Sequence, residues 1–400
     1  MTSAVPETAI RSVRLPGTVA LAALPPLALY VHFPWCARKC PYCDFNSHEA
    51  RAGIPEAEYV AALERDMEAV VPLVWGRRVY SIFFGGGTPS LLSPRAVSDI
   101  LGAARARFSV DPGAEVTLEA NPGSAEAGKF GEFRAAGVNR LSVGVQSFSP
   151  PQLAAIGRIH DAAQARAAAE IALRHFDSVN LDLMYALPGQ DLAAALSDIE
   201  TAISFAPQHV SAYHLTLEPN TPFYRTPPPL PGEEAGARMQ EAIEERLAAA
   251  GYRHYETSAF ARPGRECRHN LNYWRFGDYI GVGPGAHGKL SFPDRILRQA
   301  RWRHPKEWLP RAAAGEPAAE ERAVGAGELP FEFMMNALRL TEGFETRLFE
   351  ERTGLPLSVV ARELEDAERR GLIALDPLRI TPTDLGRRFL NDLLQLFLKD

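Results

Sequence analysis

Cysteine is scarce: the 400-residue chain has four. So small a set excludes a disulfide scaffold and fits a reducing compartment. A long apolar run is also missing. The nearest approach, residues 19–31, follows Arg11 and Arg14 in the manner of a secretion signal. It is too short to span a bilayer, Pro25-Pro26 breaks it, and no cleavage site follows it. Residues 1–27 therefore read as a flexible, irregular arm ahead of a first strand, and the protein as cytoplasmic. Positive charge is not in excess either. A net charge of −6 argues against a nucleic-acid partner. No internal repeat appears beyond strand–helix units. What remains is ordinary for a globular chain, with 46% apolar and 23% charged residues. The length suits one large domain with one or two small ones.

Three of the four cysteines fall within eight positions, in Cys36-Ala-Arg-Lys-Cys40-Pro-Tyr-Cys43. Thiolates at this spacing can converge on one face of a loop and hold three irons of a cubane [4Fe–4S] cluster. The remaining iron is then open to a substrate or cofactor, as the open position of a catalytic metal is. The plainer alternatives are a zinc site or three unrelated thiols. Zinc normally takes a full tetrahedral set of Cys and His in CxxC pairs, and no second pair exists here.

Strands are expected over residues 28–33, 79–84, 115–119, 140–145, 178–184 and 209–214. Helices at 55–71, 93–108, 124–136, 162–175 and 192–205 alternate with them. Such alternation means a parallel sheet with right-handed crossovers. The units are too few for a closed (β/α)8 barrel, so the fold class is α/β with a partial parallel barrel over 28–220. A proline-rich linker or lid, 221–232, opens a barrel-completing segment that runs to 325. That segment holds a helix at 233–250, a strand near 252–260 and a glycine-rich loop at 281–288. Residues 326–400 read as helices at 331–340, 346–353 and 357–370, a short hairpin and a last helix, the outline of a winged helix. Its acids offset its arginines, which favours a packing role over nucleic-acid binding.

In a parallel barrel the site lies at the C-terminal strand ends. Gly85-Gly86-Gly87-Thr88 ends the second strand, where bare backbone can approach a charged ligand or merely turn. Glu119 ends the third, Gln146 the fourth, and Asp182 sits on the fifth. Arg158 lies just beyond and offers a fork of donors for a carboxylate. A single acid at a strand end is common by chance, so each carries little alone.

The run Tyr30-Val-His-Phe-Pro-Trp-Cys-Ala-Arg-Lys-Cys-Pro-Tyr-Cys43 resembles the signature of the radical S-adenosylmethionine (SAM) superfamily. The sequence around it resembles the branch that holds oxygen-independent coproporphyrinogen III oxidases and HemW-type heme chaperones. The resemblance runs from about Tyr30 to the C-terminus and implies a three-quarter barrel. It implies a [4Fe–4S] cluster on Cys36, Cys40 and Cys43, with SAM chelating the open iron through its amino and carboxylate groups. Tyr30, Tyr42, Gly86, Gly87, Thr88, Glu119, Gln146, Arg158 and Asp182 match SAM-binding positions of the family, with Tyr42 as a wall beside adenine. Tyr213 and His287 fall near further ligand positions. His32 and His160 read as structural.

Two departures bear on the branch. The oxidases carry an extra cysteine where this chain has Phe45, and a longer arm before the first strand. His269-Asn-Leu-Asn-Tyr-Trp274 resembles the HNxxYW motif of the HemW proteins, in which the histidine is implicated in heme binding. A neutral imidazole suits heme iron, and Tyr273 with Trp274 offers flat apolar surface. Without the resemblance, the plainer reading is a satisfied histidine among core aromatics. Cys267, two residues earlier, is a second heme contact or a small core residue. The resemblance thus implies a heme chaperone passing heme to an acceptor protein, one reachable at the membrane, with a homodimer as one form. The alternative is an oxidoreductase that cleaves SAM and acts on a porphyrinogen.

Overall fold

Two-residue alternation along the parallel strands sorts the chain into an apolar face and a polar face. The computed structural model describes residues 19–398. The rest of the expected arm, residues 1–18, lies outside the described residues. The main sheet has twelve strands: β1 (Leu27–Phe33), β2 (Arg78–Gly86), β3 (Ser109–Ala120), β4 (Arg140–Gln146), β5 (Val179–Tyr185), β6 (His209–His214), β7 (Arg253–Glu256), β8 (Ala259–Ala261), β9 (Asp278–Val282), β10 (His287–Ser291), β11 (Ile296–Arg301) and β12 (Ala318–Ala323). Their order is β12-β11-β10-β9-β1-β2-β3-β4-β5-β6-β8-β7. The strands from β9 through β1 to β6 are parallel, and both flanks are antiparallel.

The outer face carries Leu29, Val31, Ile82, Phe84, Val116, Leu118, Leu141, Val143, Leu181 and Val210, all buried. Crossover helices cover it and complete one large core. Their starts are cut by side-chain caps: Ser93 accepts from Ala96 N, Asp191 from Ala194 N, and Asp161 forms a capping box with Gln164. The inner face reads differently. Tyr30, Phe83, Thr117 and Arg140 stand side by side across β1 to β4, and Glu119, Ser142 and Asn180 form the next layer.

Four expectations need correcting. The sheet gains a seventh parallel strand, because β9 pairs with β1 from Leu27↔Asp278 to Val31↔Val282. The glycine-rich stretch is therefore two strands around a short turn, not one loop. Residues 252–260 form the β7–β8 hairpin and not a single strand. The helix expected at 124–136 is two pieces, Ser124–Ala127 and Phe130–Ala136. The helix expected at 357–370 begins as a 3-10 turn, Leu357–Val360, before Ala361–Arg369.

The C-terminal region has its own core around Phe333, Phe349, Val360 and Leu393, with a small three-stranded sheet. Leu21 from the opposite end of the chain is buried in that core. Ala20 N donates to Gly354 O at 3.4 Å and Leu21 N to Pro293 O at 2.9 Å. The same region reaches the far edge of the main sheet. Glu256 bridges Leu340 there, and Thr257 N donates to Arg339 O at 3.1 Å. At the other edge every residue of β12 is exposed.

Candidate functional site

The cysteine loop is clamped to the end of β2 by backbone. Gly87 N donates to Phe33 O at 2.6 Å and Thr88 N to Trp35 O at 2.8 Å. These bonds need bare glycines. A Cβ on Gly87 would stand 2.5 Å from Trp35 O, and one on Gly86 2.5 Å from the His32 ring. Gly86 also has φ of +109°, a conformation that side chains resist. His32 is itself fixed, 2.9 Å from Asn46 O and 3.2 Å from the Tyr30 hydroxyl.

None of Cys36, Cys40 and Cys43 is in a disulfide, and all three are partly exposed. Burial raises the thiols of Cys36 and Cys43, while Thr88 and Ser47 hydroxyls on Cys36 and Ser47 on Cys43 work against it. Arg158 Nη1 sits 3.5 Å from Cys40 Sγ. The hydroxyls offset part of the burial at Cys36 and Cys43, and iron binds sulfur as thiolate. Among the described residues no group of three or more His, Cys, Asp and Glu converges to hold a single metal ion. A cubane asks for something else, neighbouring thiolates that each bind a separate iron. Three free thiols on one loop fit that donor set.

Asn121, which the sequence reading passed over, ties the rim together. Its Nδ2 donates to Thr88 Oγ1 at 3.1 Å, and its Oδ1 accepts from Arg158 Nη2 at 2.7 Å. Arg158 also donates to Gly144 O at 2.7 Å. The only signal was an Asn-Pro step directly after a strand. Gln146, at φ of +66°, ends β4 beside this cluster. Tyr42 packs near Phe223, and Phe223 N donates to Pro41 O at 3.0 Å, so the proline-rich segment leans on the cysteine loop.

Deeper on the inner face stand the acids. Burial, then the charge of Asp182, pushes the Glu119 carboxyl up to about 8. Burial raises Asp182 as well, against hydrogen bonds from Ser142 at 2.9 Å and Asn180 at 2.8 Å. Tyr213 faces the same space. It is 42% exposed and stands on the wall of the barrel's lumen, within reach of the Asp182 and Glu119 charges. Tyr30 also lies there, its hydroxyl raised by burial and then by Glu119. His287 is outside this group and exposed.

Helix Arg268–Trp274 closes the bottom of the lumen against β1, β2 and β9. Glu115 caps its first turn, accepting from His269 N at 3.0 Å and Arg268 N at 3.1 Å. His269 is 8% exposed, lies 3.1 Å from Ser81 Oγ, and has Phe83 at 5.0 Å between ring centroids. Burial, then Arg140, pulls its imidazole down to about 3, so it is neutral near pH 7. Cys267 is fully buried, bonded to Glu115, and pushed up to about 12 by burial. It sits as a small core residue. Phe45 is 58% exposed on the cysteine loop. Tyr273 and Trp274 pack together away from His269, with Arg339 over the indole at 4.6 Å.

Comparison with known proteins matches residues 30–202 to the Radical SAM superfamily and 326–389 to the HemN C-terminal domain. The chain is 48% identical over 385 residues to the heme chaperone HemW of Escherichia coli strain K12, covering 95% of this chain and 100% of that one. It is 36% identical over 389 residues to the heme chaperone HemW of Mycobacterium tuberculosis H37Rv, covering 94% and 95%. A mitochondrial radical S-adenosyl methionine domain-containing protein 1 from Bos taurus is 37% identical over 364 residues, with 87% and 82% covered. Among solved structures, coproporphyrinogen III oxidase (HemN) from Escherichia coli superposes with a TM-score of 0.79 over 94% of this chain and 90% of that one. At 23% identity that likeness shows the fold alone.

Proposed function

The chain belongs to the family of the HemW heme chaperones within the radical SAM superfamily, and from that premise we propose that it binds a [4Fe–4S] cluster, SAM and heme, and hands heme to an acceptor protein. The observation that carries the proposal is the gathering of the cysteine loop, the Gly86-Gly87 ledge, Arg158 and the Glu119–Asp182 pair around one polar lumen floored by the helix that bears His269.

In this reading Cys36, Cys40 and Cys43 hold the cluster. When bound, the cluster and SAM supply one-electron chemistry or a redox-sensitive structural centre. Gly86, Gly87 and Thr88 line the path of a charged ligand with backbone. Arg158 presents a guanidinium beside Cys40 for a carboxylate. Glu119 and Asp182 accept hydrogen bonds from hydroxyls or an amine, Gln146 adds an amide, and Tyr30 and Tyr42 are aromatic walls. His269 keeps a neutral imidazole for heme iron. The domain limits proposed are 28–220 for the barrel, 221–325 for its completion and 326–400 for the helical region. The acceptor is a heme protein. Among the described residues, no helix is long and apolar enough to cross a membrane.

Porphyrinogen oxidation gains no support from the fold likeness, and Phe45 stands where the oxidases carry a further thiol. The test is an anaerobic heme titration of the reconstituted full chain, followed by the Soret band. A saturable shift near one heme per chain is expected, weakened in His269→Ala with iron and sulfide content unchanged. Unaltered heme affinity in that variant returns His269 to packing. No shift in either protein, with SAM cleavage stimulated by coproporphyrinogen III, makes the chain an enzyme instead.

A further inference from the structure

Among the described residues, buried lysines and arginines are paired, with one exception. Lys289, 1% exposed, meets Asp278 at 2.9 Å, and Arg301, 2% exposed, meets Asp66 at 2.8 Å. Arg140 is 3% exposed and has neither a hydrogen-bond nor an ion-pair partner for its guanidinium among the described residues. Its β4 position points it into the lumen, where its charge reaches Glu119, Asp182, His209, Tyr255, Cys267 and His269. Thr117, its neighbour across the β3–β4 register, is fully buried and its hydroxyl is also unpartnered. The acids around it favour its charge, but no described group hydrogen-bonds its fork, and buried donors left unpaired are costly.

The acid on the floor does not serve. Glu115 is engaged by Cys267 Sγ, Arg268 N and His269 N. The same layer of the sheet supplies flat surface on the other side. Tyr30 and Phe83 stand in register with Thr117 and Arg140, and their rings lie 6.3 Å apart in a stacked arrangement. A guanidinium fork and a hydroxyl beside two aromatic faces suit a planar apolar molecule bearing a carboxylate arm. A phosphate fits less well, because it sets two negative charges against one cation in a lumen already lined by Glu115, Glu119 and Asp182.

We propose that Arg140, with Thr117, is an anion site on the lumen floor that takes a carboxylate arm of the tetrapyrrole. This rests on the heme reading above for the identity of the ligand, and on the unpaired guanidinium for the site itself. Arg140 orients the ligand in the lumen and makes binding depend on a free carboxylate.

The experiment uses the anaerobically reconstituted full chain with three probes: hemin, hemin dimethyl ester and sodium propionate. Wild type is expected to bind hemin at least roughly tenfold more tightly than the diester, the scale of a lost charge-assisted hydrogen-bond pair. Arg140→Met is expected to bind both at the diester's level. Arg140→Lys, which keeps the charge without the fork, is expected in between, and covers the case in which the Met variant does not fold. Equal affinities of wild type for hemin and its diester, or a Met variant as tight as wild type, overturn the site.

If neither protein binds hemin, the heme reading fails and propionate decides the floor site. Propionate should then raise the melting temperature of wild type but not of Arg140→Met, against sodium chloride at matched ionic strength. An equal response in both proteins overturns it.

Discussion

Glu119 ties stability to pH in a direction opposite to most carboxylates. Its acid is raised by burial and then by Asp182, from an ordinary 4.5 to about 8. Between those values the folded state keeps a proton that the unfolded chain has lost. Its contribution is therefore full below about pH 4.5 and drains away as pH rises through about 8. Glu119→Gln removes this slope. The ligand-free variant should gain on wild type steadily from pH 5 to pH 8 in parallel thermal melts. A constant difference across that range would show that Glu119 is ionised in the fold. The direction of the shift could not be seen in the sequence, where Glu119 was one acid at one strand end. It depends first on burial within the barrel and then on Asp182, two strands away. Arg140 was hidden for the same reason: it read as the first residue of a strand, and its missing partner is a fact of the whole lumen.

The ledge at the end of β2 shows how an element can be built around an absence. Gly87→Ala puts a methyl group against Trp35 O and Phe33 O, at 2.5 and 2.9 Å, and neither is a flexible side chain that can move away. The expected result is a loss of about 1–3 kcal/mol by urea unfolding, the usual range for overpacking, with poorer cluster reconstitution because the cysteine loop must shift. Unchanged iron loading would separate the ledge from the loop. Strands with clean alternation, and helices opened by Ser93, Asp161 and Asp191, were legible because their signals are local. β9 to β12 were not. Gly281, Gly283, Gly285 and Pro284 spell a loop, yet Gly281 lies inside β9, where the backbone carbonyl of His287 takes the space of a side chain. The break at Gly128–Lys129 is not legible because no proline or turn signal marks it.

Among the described residues the molecule has two large apolar cores, and Leu21 joins C-terminal side chains in the second. Leu21 is 8% exposed among C-terminal side chains, held by the Ala20–Gly354 contact. Leu21→Ala should cost about 2–4 kcal/mol of local stability, read as faster amide exchange and proteolysis of residues 326–398 with the barrel's protection intact. Equal loosening of both cores would mean that they unfold as one unit. This docking is not legible in the sequence, where the segment reads as an irregular arm.

The twelve-stranded sheet is open, so its two outer strands are each a template that another chain could copy. At β7 the place of the next strand is taken by residues 339–341 of the chain itself, through the Glu256–Leu340 bridge and the Thr341 N to Tyr255 O bond of 3.2 Å. At β12 the exposed ribbon bears Glu320, Glu321 and Arg322, charges that a copied strand would have to bury or oppose. The C-terminal region is thus also a stopper. Were it to detach, the first surface uncovered would be a bare strand edge, and the protein would become prone to stacking into aggregates before its barrel had lost a single layer.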